Sequence, residues 1–431
     1  MQLKLITTKK STYMLELKKG QKVKLTNGSQ ASVIKELGRG GQGIVYLVEL
    51  GGQEMALKWY LNPLGQKFYK NLEENISKKA PSDAFLWPEY LTTIEKGYYG
   101  YIMKLRPQGY YEFGQYLLAK QQFGSFEAML NAAMKICEGF RLLHLHGLSY
   151  QDLNDGNFFI EPKSGDVLIC DNDNVMPDGQ KSGIMGKARY MAPEVVGGKA
   201  PDKYSDRFSL SVILFMLFYG NHPFEGSKVL ACPCMTESYE KKFYGSEAEF
   251  IYDPKGENRP VRGVHNNVIR RWSAFPALLR EAFEKQFGGD CLFTPEKRAI
   301  EKEWTNIIQA LRDILVKCPN CGEETFVQDE TAPKCMSCGK QVVISGKLAM
   351  GNRKILLTPN TMIYVDKDNI PDIKVISVTG DRYPVQLQNI TKEKWVVETQ
   401  SGNIKEIAPG SAVPVRQGLK ITINSQKTII E

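Results

Sequence analysis

The sequence predicts an α+β chain of more than one domain, and three observations predict it. Apolar alternation of period two fills roughly the first hundred residues, a helical period takes over from Tyr116, and short β-runs return after residue 341. At 431 residues, and roughly 150 residues per domain, about three domains are expected. Hydrophobic residues are 42% and charged residues 24% of the chain, which excludes a disordered or fibrous polymer. The net charge of +8 is mild, and no long basic run marks a nucleic-acid partner. The start, MQLKLITTKK, lacks the apolar core of a signal peptide. The longest apolar stretch, 208–219, falls short of the roughly 20 residues a membrane-spanning helix needs. A soluble, cytoplasmic protein without membrane attachment is the expectation.

Residues 1–36 alternate at Leu3, Leu5, Leu15, Leu17, Val23 and Leu25, with Gly20 and Asn27-Gly28 as turn signals, so they read as strands and a hairpin. Strand character continues to about Met103. Within it, Leu37-Gly38-Arg39-Gly40-Gly41-Gln42-Gly43-Ile44-Val45-Tyr46 contains GxGxxG. Glycines let a hairpin approach phosphates and offer them backbone N–H groups. A dinucleotide-binding turn shares this pattern but opens a helix, whereas VYLVEL continues as a strand. Met55-Ala56-Leu57-Lys58 follows, and a lone Lys in an apolar strand is costly without an anionic partner.

From Tyr116 to His146 the period is helical, and it is helical again over 206–220, 268–287 and 296–315. Between these, Tyr150-Gln151-Asp152-Leu153-Asn154-Asp155-Gly156-Asn157 precedes the strand FFI. Asp152 and Asn157 can set a carboxylate at a hydroxyl nucleophile and an amide oxygen on a metal ion. Leu168-Ile169-Cys170-Asp171-Asn172-Asp173 ends an apolar strand in a carboxylate suited to Mg²⁺. Met191-Ala192-Pro193-Glu194 and Asp206-Arg207-Phe208-Ser209-Leu210 follow. Each piece alone is readable as a turn or cap; five in this order are not. Residues 221–265 are irregular and too long for an ordinary connection.

Nine cysteines include two CxxC pairs, Cys318/Cys321 and Cys335/Cys338, thirteen residues apart. That spacing suits tetrahedral Zn²⁺ held by two knuckles, with Gly322 and Gly339 at the position needing φ > 0. Two disulfides or a redox pair are the alternatives; without a secretory signal, disulfides are disfavoured. Cys137 and Cys170 read as buried small hydrophobes, and Cys232-Pro-Cys234 as a loop. Beyond 341, the runs KILLT, MIYV, KVISV, PVQLQ, KWVVETQ and LKITI suggest a small β-sandwich.

With these motifs in place, residues 30 to 315 resemble the protein-kinase family. The resemblance implies a bilobal fold: a β-rich N-lobe, a helical C-lobe and ATP in the cleft. It divides the chain into an N-terminal β extension (1–30), a kinase domain (31–316), a zinc ribbon (317–345) and a β-sandwich (346–431). It implies that Leu37, Gly38, Gly40, Gly43, Val45, Ala56, Met103 and Leu105 line the nucleotide site. Lys58 would hold the phosphates, Asp152 would be the catalytic base, and Asn157 and Asp171 would bind Mg²⁺. The zinc pairs, DNDN and FLWP are further similar to bacterial stress-associated kinases linked to a phosphatase and a von Willebrand-type domain protein. The last 86 residues look like a forkhead-associated sandwich, but lack that family's Arg and Ser–x–x–His phosphothreonine readers, so a structural or docking module is preferred.

The chain departs from the family pattern at several places. HRD reads Tyr150-Gln151-Asp152, removing the Arg that pairs with a loop phosphate. DFG reads Asp171-Asn172-Asp173. The Lys two after the base is Asn154, while Lys187 stands where a loop Thr would sit, so Lys187 is expected to reach back toward Asp152. The helix carboxylate for Lys58 is either Glu73 or Glu74. The expected function is Mg-ATP-dependent phosphorylation of Ser/Thr on protein substrates. A pseudokinase scaffold and a small-molecule kinase are the alternatives.

Overall fold

The computed structural model describes residues 16–431 except 63, 182, 184, 185, 329, 330 and 332. The expected strands at Leu3, Leu5 and Leu15 lie outside the described residues. The chain forms two compact units, one running to Gln108 and taking in Cys170–Asp173, the other comprising Gly109–Ile169 and Asn174–Glu431.

The first unit is a six-stranded antiparallel sheet. In chain order its strands are β1 (Lys22–Lys24), β2 (Gln30–Arg39), β3 (Gly43–Leu50), β4 (Gln53–Tyr60), β5 (Pro88–Leu91) and β6 (Gly100–Lys104), and in space β1-β2-β3-β4-β6-β5. Period-two alternation divides its faces. Ile44, Tyr46, Val48, Met55, Leu57, Trp59 and Ile102 enter one apolar cluster. The intervening Val45, Ala56, Lys58 and Met103 point to the other face, where Val45 pairs with Lys58 and Ala56 with Met103. The expected unbroken strand character to Met103 is corrected by helix α1 (Gln66–Lys78). Phe68, Asn71, Leu72 and Asn75 form its buried stripe, and two amides in that stripe mask the helical period of apolar residues that a sequence reading seeks.

The second unit opens with α2 (Phe113–Leu117) and α3 (Phe126–Leu145). The helix expected from Tyr116 onward is therefore two: the first ends at Leu117, and Ser125 starts the second by accepting the Ala128 N–H. The four-residue helix α4 (Pro193–Val196) and α5 (Lys203–Tyr219) follow. Asp202 and Ser205 form a capping box for α5, and Gly220 closes it in the left-handed region. The helical stretch expected over 268–287 is interrupted at Phe275-Pro276, since Pro cannot continue a helix. The irregular segment 221–265 contains short helices at Ser227–Leu230 and Glu237–Lys241.

Past the last helix, Glu301–Ile314, a hairpin (Leu315–Lys317 with Glu324–Phe326) leads into a sandwich of one six-stranded and one four-stranded sheet. Leu348, Ile363, Ile373, Leu387, Trp395 and Ile421 are among its shared core. Polar groups tie this sandwich to the helices. The Arg312 guanidinium lies 4.2 Å over the Tyr364 ring and donates to Asn131 and Asn369, and Arg353 grips Asp313 at 2.8–2.9 Å. Burying a guanidinium is costly without partners, and both terminal nitrogens of Arg312 have them. Among the described residues no helix is long and apolar enough to cross a membrane.

Candidate functional site

In the first unit, β4 carries Lys58 into a cluster of carboxylates. Its Nζ lies 2.8 Å from Asp173 Oδ2, 3.2 Å from Asp171 Oδ1 and 3.3 Å from Gln42 Oε1. Burial works against the ammonium charge, but Asp173 and then Asp171 outweigh it and hold the amine well above the ordinary lysine range. Tyr60, two residues on and on the same strand face, donates its hydroxyl to Asp173 Oδ2. Asp173 is wholly buried, whereas half of the Asp171 side chain is exposed. Asp171 adopts φ +55°, a left-handed conformation that strains a non-glycine residue and is held only by its surroundings.

The expected pairing of Lys58 with Glu73 or Glu74 is not found. Both glutamates sit on the exposed side of α1, opposite the stripe of Phe68, Asn71, Leu72 and Asn75. In the DFG-like stretch Asn172 stands at the Phe position and Asp173 at the Gly position, and the sequence reading did not anticipate that Asp173 adds a second carboxylate beside Lys58. Tyr60 was missed as well; its spacing of two from Lys58 was the available signal.

The residues expected to line a nucleotide share the sheet face of Lys58. Val45, Ala56 and Met103 give it an apolar floor, Leu37 is exposed at a bulge of β2, and Leu105 follows the end of β6. Gly38, Gly40 and Gly41 have open space where a side chain would stand. Gly43 differs: a Cβ there would lie 2.4 Å from the Trp59 carbonyl oxygen, so this glycine is required by strand packing. A glycine hairpin beside an apolar floor that ends in a fixed ammonium fits a nucleotide triphosphate, and the part-exposed Asp171 fits a hard divalent cation.

In the second unit the turn Tyr150–Asn157 holds Asp152. The Asp152 carboxylate accepts from Asn154 Nδ2 at 3.3 Å and Asn174 Nδ2 at 3.5 Å. Asn154 caps the following turn, and Asn157 Oδ1 accepts the Asn154 N–H at 2.9 Å. Asn157 thus shapes the loop with one of the two lone pairs of its Oδ1. Lys187 Nζ donates to Asn154 Oδ1 at 3.0 Å and lies 3.9 Å from Asp155. Lys187 was expected to reach toward Asp152; its shown partners are Asn154 and Asp155 of the same turn. Gln151, at φ +71°, donates to Ser149 and to the Gln180 carbonyl.

A buried ionic scaffold supports that turn. Asp206 accepts the backbone N–H groups of Tyr150 and Gln151 and faces His144 Nε2 at 3.2 Å, while His144 Nδ1 faces Glu301 at 2.8 Å. Burial disfavours a charged imidazole, but Asp206 and Glu301 overcome it and raise His144 to about 9. Burial likewise pushes Glu301 up, and His144 and Arg207 bring it down to about 2. Glu194 is clasped by Arg298 through two bonds of 2.7 Å.

The four cysteine sulfurs lie within 4.8 Å of one another. Cys318–Cys338 and Cys321–Cys335 are 3.8 and 3.7 Å apart. Zn–S bonds of about 2.3 Å give a tetrahedral edge of about 3.8 Å, so the donor set fits Zn²⁺ and is too wide for disulfides. Gly322 and Gly339 have φ +77° and +70°. Of the other cysteines, Cys137 is buried, and Cys170, expected to be buried, is partly exposed.

Comparison with known proteins places these motifs in context. Residues 31–241 match the family described as protein kinase domain. Myosin light chain kinase A of Dictyostelium discoideum is 32% identical over 206 residues, covering 45% of this chain and 68% of that protein. Rat protein kinase C delta type is 28% identical over 202 residues (44% of this chain, 29% of the relative). Serine/threonine-protein kinase Pkn1 of Myxococcus xanthus is 26% identical over 216 residues (46% and 30%). The matches thus span less than a third of the rat and Myxococcus proteins.

Proposed function

The chain belongs to the protein kinase family, and on that premise we propose that it is an Mg-ATP-dependent serine/threonine kinase acting on protein substrates. The observation that carries the proposal is the Lys58–Asp171 pair on the open face of the sheet, at 3.2 Å. In this reading Lys58 neutralises nucleotide phosphates, and the glycines 38–43 with Val45, Ala56, Met103 and Leu105 hold the nucleotide. Asp171 and Asn157 hold Mg²⁺, which would supply charge neutralisation at the phosphates when bound. Asp152 receives the proton of the attacking hydroxyl, and the amides of Asn154 and Asn174 orient its carboxylate for that transfer.

The retained Lys58, Asp152, Asn157 and Asp171 support an enzyme over a pseudokinase scaffold. The Glu194–Arg298 clasp fixes the segment before α5, which supports a protein over a small-molecule substrate. We assign residues 31–316 to the kinase domain, with the extension (1–30), zinc ribbon (317–345) and sandwich (346–431) around it. The last two are docking modules in this reading, for which a phosphatase and a von Willebrand-type domain protein are candidate partners, and the compartment is the cytoplasm. Zn²⁺ is structural, because four thiolates leave no open position for water. Metal analysis of freshly purified protein should find one zinc per chain, lost in Cys335→Ser.

The test of the activity is transfer of labelled phosphate from Mg-ATP to the chain and to candidate proteins. Wild type should label and Asp152→Ala should not; equal labelling removes Asp152 from the mechanism, and no labelling by wild type returns the chain to the scaffold class.

A further inference from the structure

Lys58 needs a fixed anionic partner to present its ammonium in one place, and the anion it has comes from an unexpected element. Its shortest contact is Asp173 Oδ2 at 2.8 Å, and Asp173 is fully buried. Tyr60 donates to the same oxygen and stands 5.7 Å from the Lys58 ammonium at its ring centre. Three groups therefore lock one another: the strand supplies cation and phenol two residues apart, and the loop supplies the carboxylate. Both partners meet Oδ2, and they offset the cost of burying the charge, while Oδ1 has no hydrogen-bond partner among the described residues.

Helix α1 offers nothing equivalent. Its inward face is Phe68, Asn71, Leu72 and Asn75, and Glu73 and Glu74 face away. The helix is tied to its surroundings by neutral bonds. Trp87 Nε1 donates to the Asn75 carbonyl at 2.9 Å, and Asn172 Nδ2 donates to the Leu86 carbonyl at 2.8 Å. The segment 86–87 thus links α1 to the DNDN loop without a charge passing between α1 and Lys58.

We propose that Asp173, clamped by Tyr60, is the residue that positions Lys58, so that the lysine is set by the metal-binding loop itself and not by helix α1. This rests on the kinase reading above and deepens it. A lysine held by a residue two positions from the metal ligand Asp171 is in register whenever that loop is in place. Movement of α1 then cannot disengage it, and the site has no switch based on a helix carboxylate.

The experiment is a double-mutant cycle with Asp173→Asn, Lys58→Met and the pair, read both as turnover with Mg-ATP and as ATP affinity by calorimetry. Asp173→Asn should lower kcat/KM for ATP by roughly 10- to 100-fold, and by less than about twofold once Lys58 is Met, because coupled residues lose their interaction only once. Peptide KM should stay within about twofold. Tyr60→Phe, which keeps the charge, should show a smaller loss of the same pattern and serves if Asp173→Asn fails to fold. Glu73→Gln and Glu74→Gln should match wild type. Equal losses from Asp173→Asn with and without Lys58, or a tenfold loss in either glutamate variant, would overturn the proposal. If wild type transfers no phosphate yet the cycle in ATP affinity shows the coupling, the kinase reading fails and the positioning role stands.

Discussion

In the proposed reading two short turns carry the chemistry, and they hold their carboxylates by opposite means. In Cys170–Asn174, the half-exposed Asp171 and the buried Asp173 share the ammonium of Lys58, so charge answers charge. In Tyr150–Asn157, the Asp152 carboxylate accepts from the amides of Asn154 and Asn174, and the cation Lys187 stands one hydrogen bond further out on Asn154. The difference suits two tasks. In the proposed reading, the group that grips metal and phosphate is placed by an ion pair to Lys58. In the same reading, the group that takes the proton is oriented by the neutral amides of Asn154 and Asn174.

The largest effects should come from the carboxylates themselves. Asp152→Ala should cut turnover by about 10²–10⁴-fold, a general-base contribution, with ATP affinity within a few-fold of wild type. Asp171→Ala should instead abolish the Mg²⁺ dependence of nucleotide binding along with turnover. Titration calorimetry with and without Mg²⁺ separates the two; identical behaviour of both variants would erase the distinction between the turns.

The next effect tests the scaffold beneath the Asp152 turn. His144 is raised to about 9 and Glu301 lowered to about 2 in the folded chain. A histidine raised above its unfolded value of about 6.5 contributes stability that is complete below pH 6.5 and is lost as pH rises through 9. Glu301 contributes above its unfolded value and loses that contribution as pH falls through 2. His222, lowered to about 4 chiefly by burial, acts in the other direction, removing stability as pH falls from about 6.5. Urea melts should therefore weaken from pH 6.5 to 9, by on the order of 2–3 kcal/mol, and His144→Gln should flatten that limb alone. An unchanged alkaline limb would show that the Asp206–His144–Glu301 chain is not ionised as drawn.

The legibility of the two turns in sequence was unequal for a physical reason. Asp152, Asn157, Asp171 and Lys58 were visible because their spacing along the chain is fixed by one strand or one turn. The cysteine site was visible for the same reason, since each knuckle is local. The β-sandwich was legible from period-two runs, although the assignment of strands to two sheets was not. What escaped were contacts that depend on which face of an element turns inward. Helix α1 hid behind Asn71 and Asn75, and the partner of Lys58 was sought at Glu73 and Glu74 because helix phase cannot be read from a stripe that mixes amides with two apolar residues. The Arg312–Tyr364 stack and the Arg353–Asp313 pair join segments far apart in sequence and carry no local signal.

A smaller effect is expected at Lys187. It is largely exposed, with 60% of its side chain accessible, so solvent screens its charge. Lys187→Ala should lower turnover about five- to tenfold at saturating ATP and peptide, below the several kcal/mol possible for a cation in a water-free site. Adding Asn154→Lys should restore part of it by moving the charge one hydrogen bond inward. A change confined to peptide KM would make Lys187 a substrate contact and leave the Asp152 turn with amides as its support.

The smallest effect sharpens the same contrast between charged and neutral support. Between Asp171 and Glu194 the only hydroxyls are Ser182 and Tyr190. Ser182 lies outside the described residues, and Tyr190 is buried at 1% exposure. A phosphate on this loop would need a cation beside Asp152 to order it, but position 151 is a glutamine. The structure shows what the glutamine does instead: its Nε2 donates to Ser149 Oγ and to the Gln180 carbonyl, a neutral tie to the loop backbone. Gln180 is held this way without any added charge, so no phosphate is needed to hold that position. Ser182→Ala should keep turnover within about twofold of wild type, and phosphatase treatment should change it no more. Gln151→Ala, which cuts the tie, should lower turnover severalfold, and Gln151→Arg should make activity respond to the phosphorylation state of Ser182. A Ser182→Ala chain that loses most of its activity would mean that the neutral tie does not suffice and that a charged one is made after all.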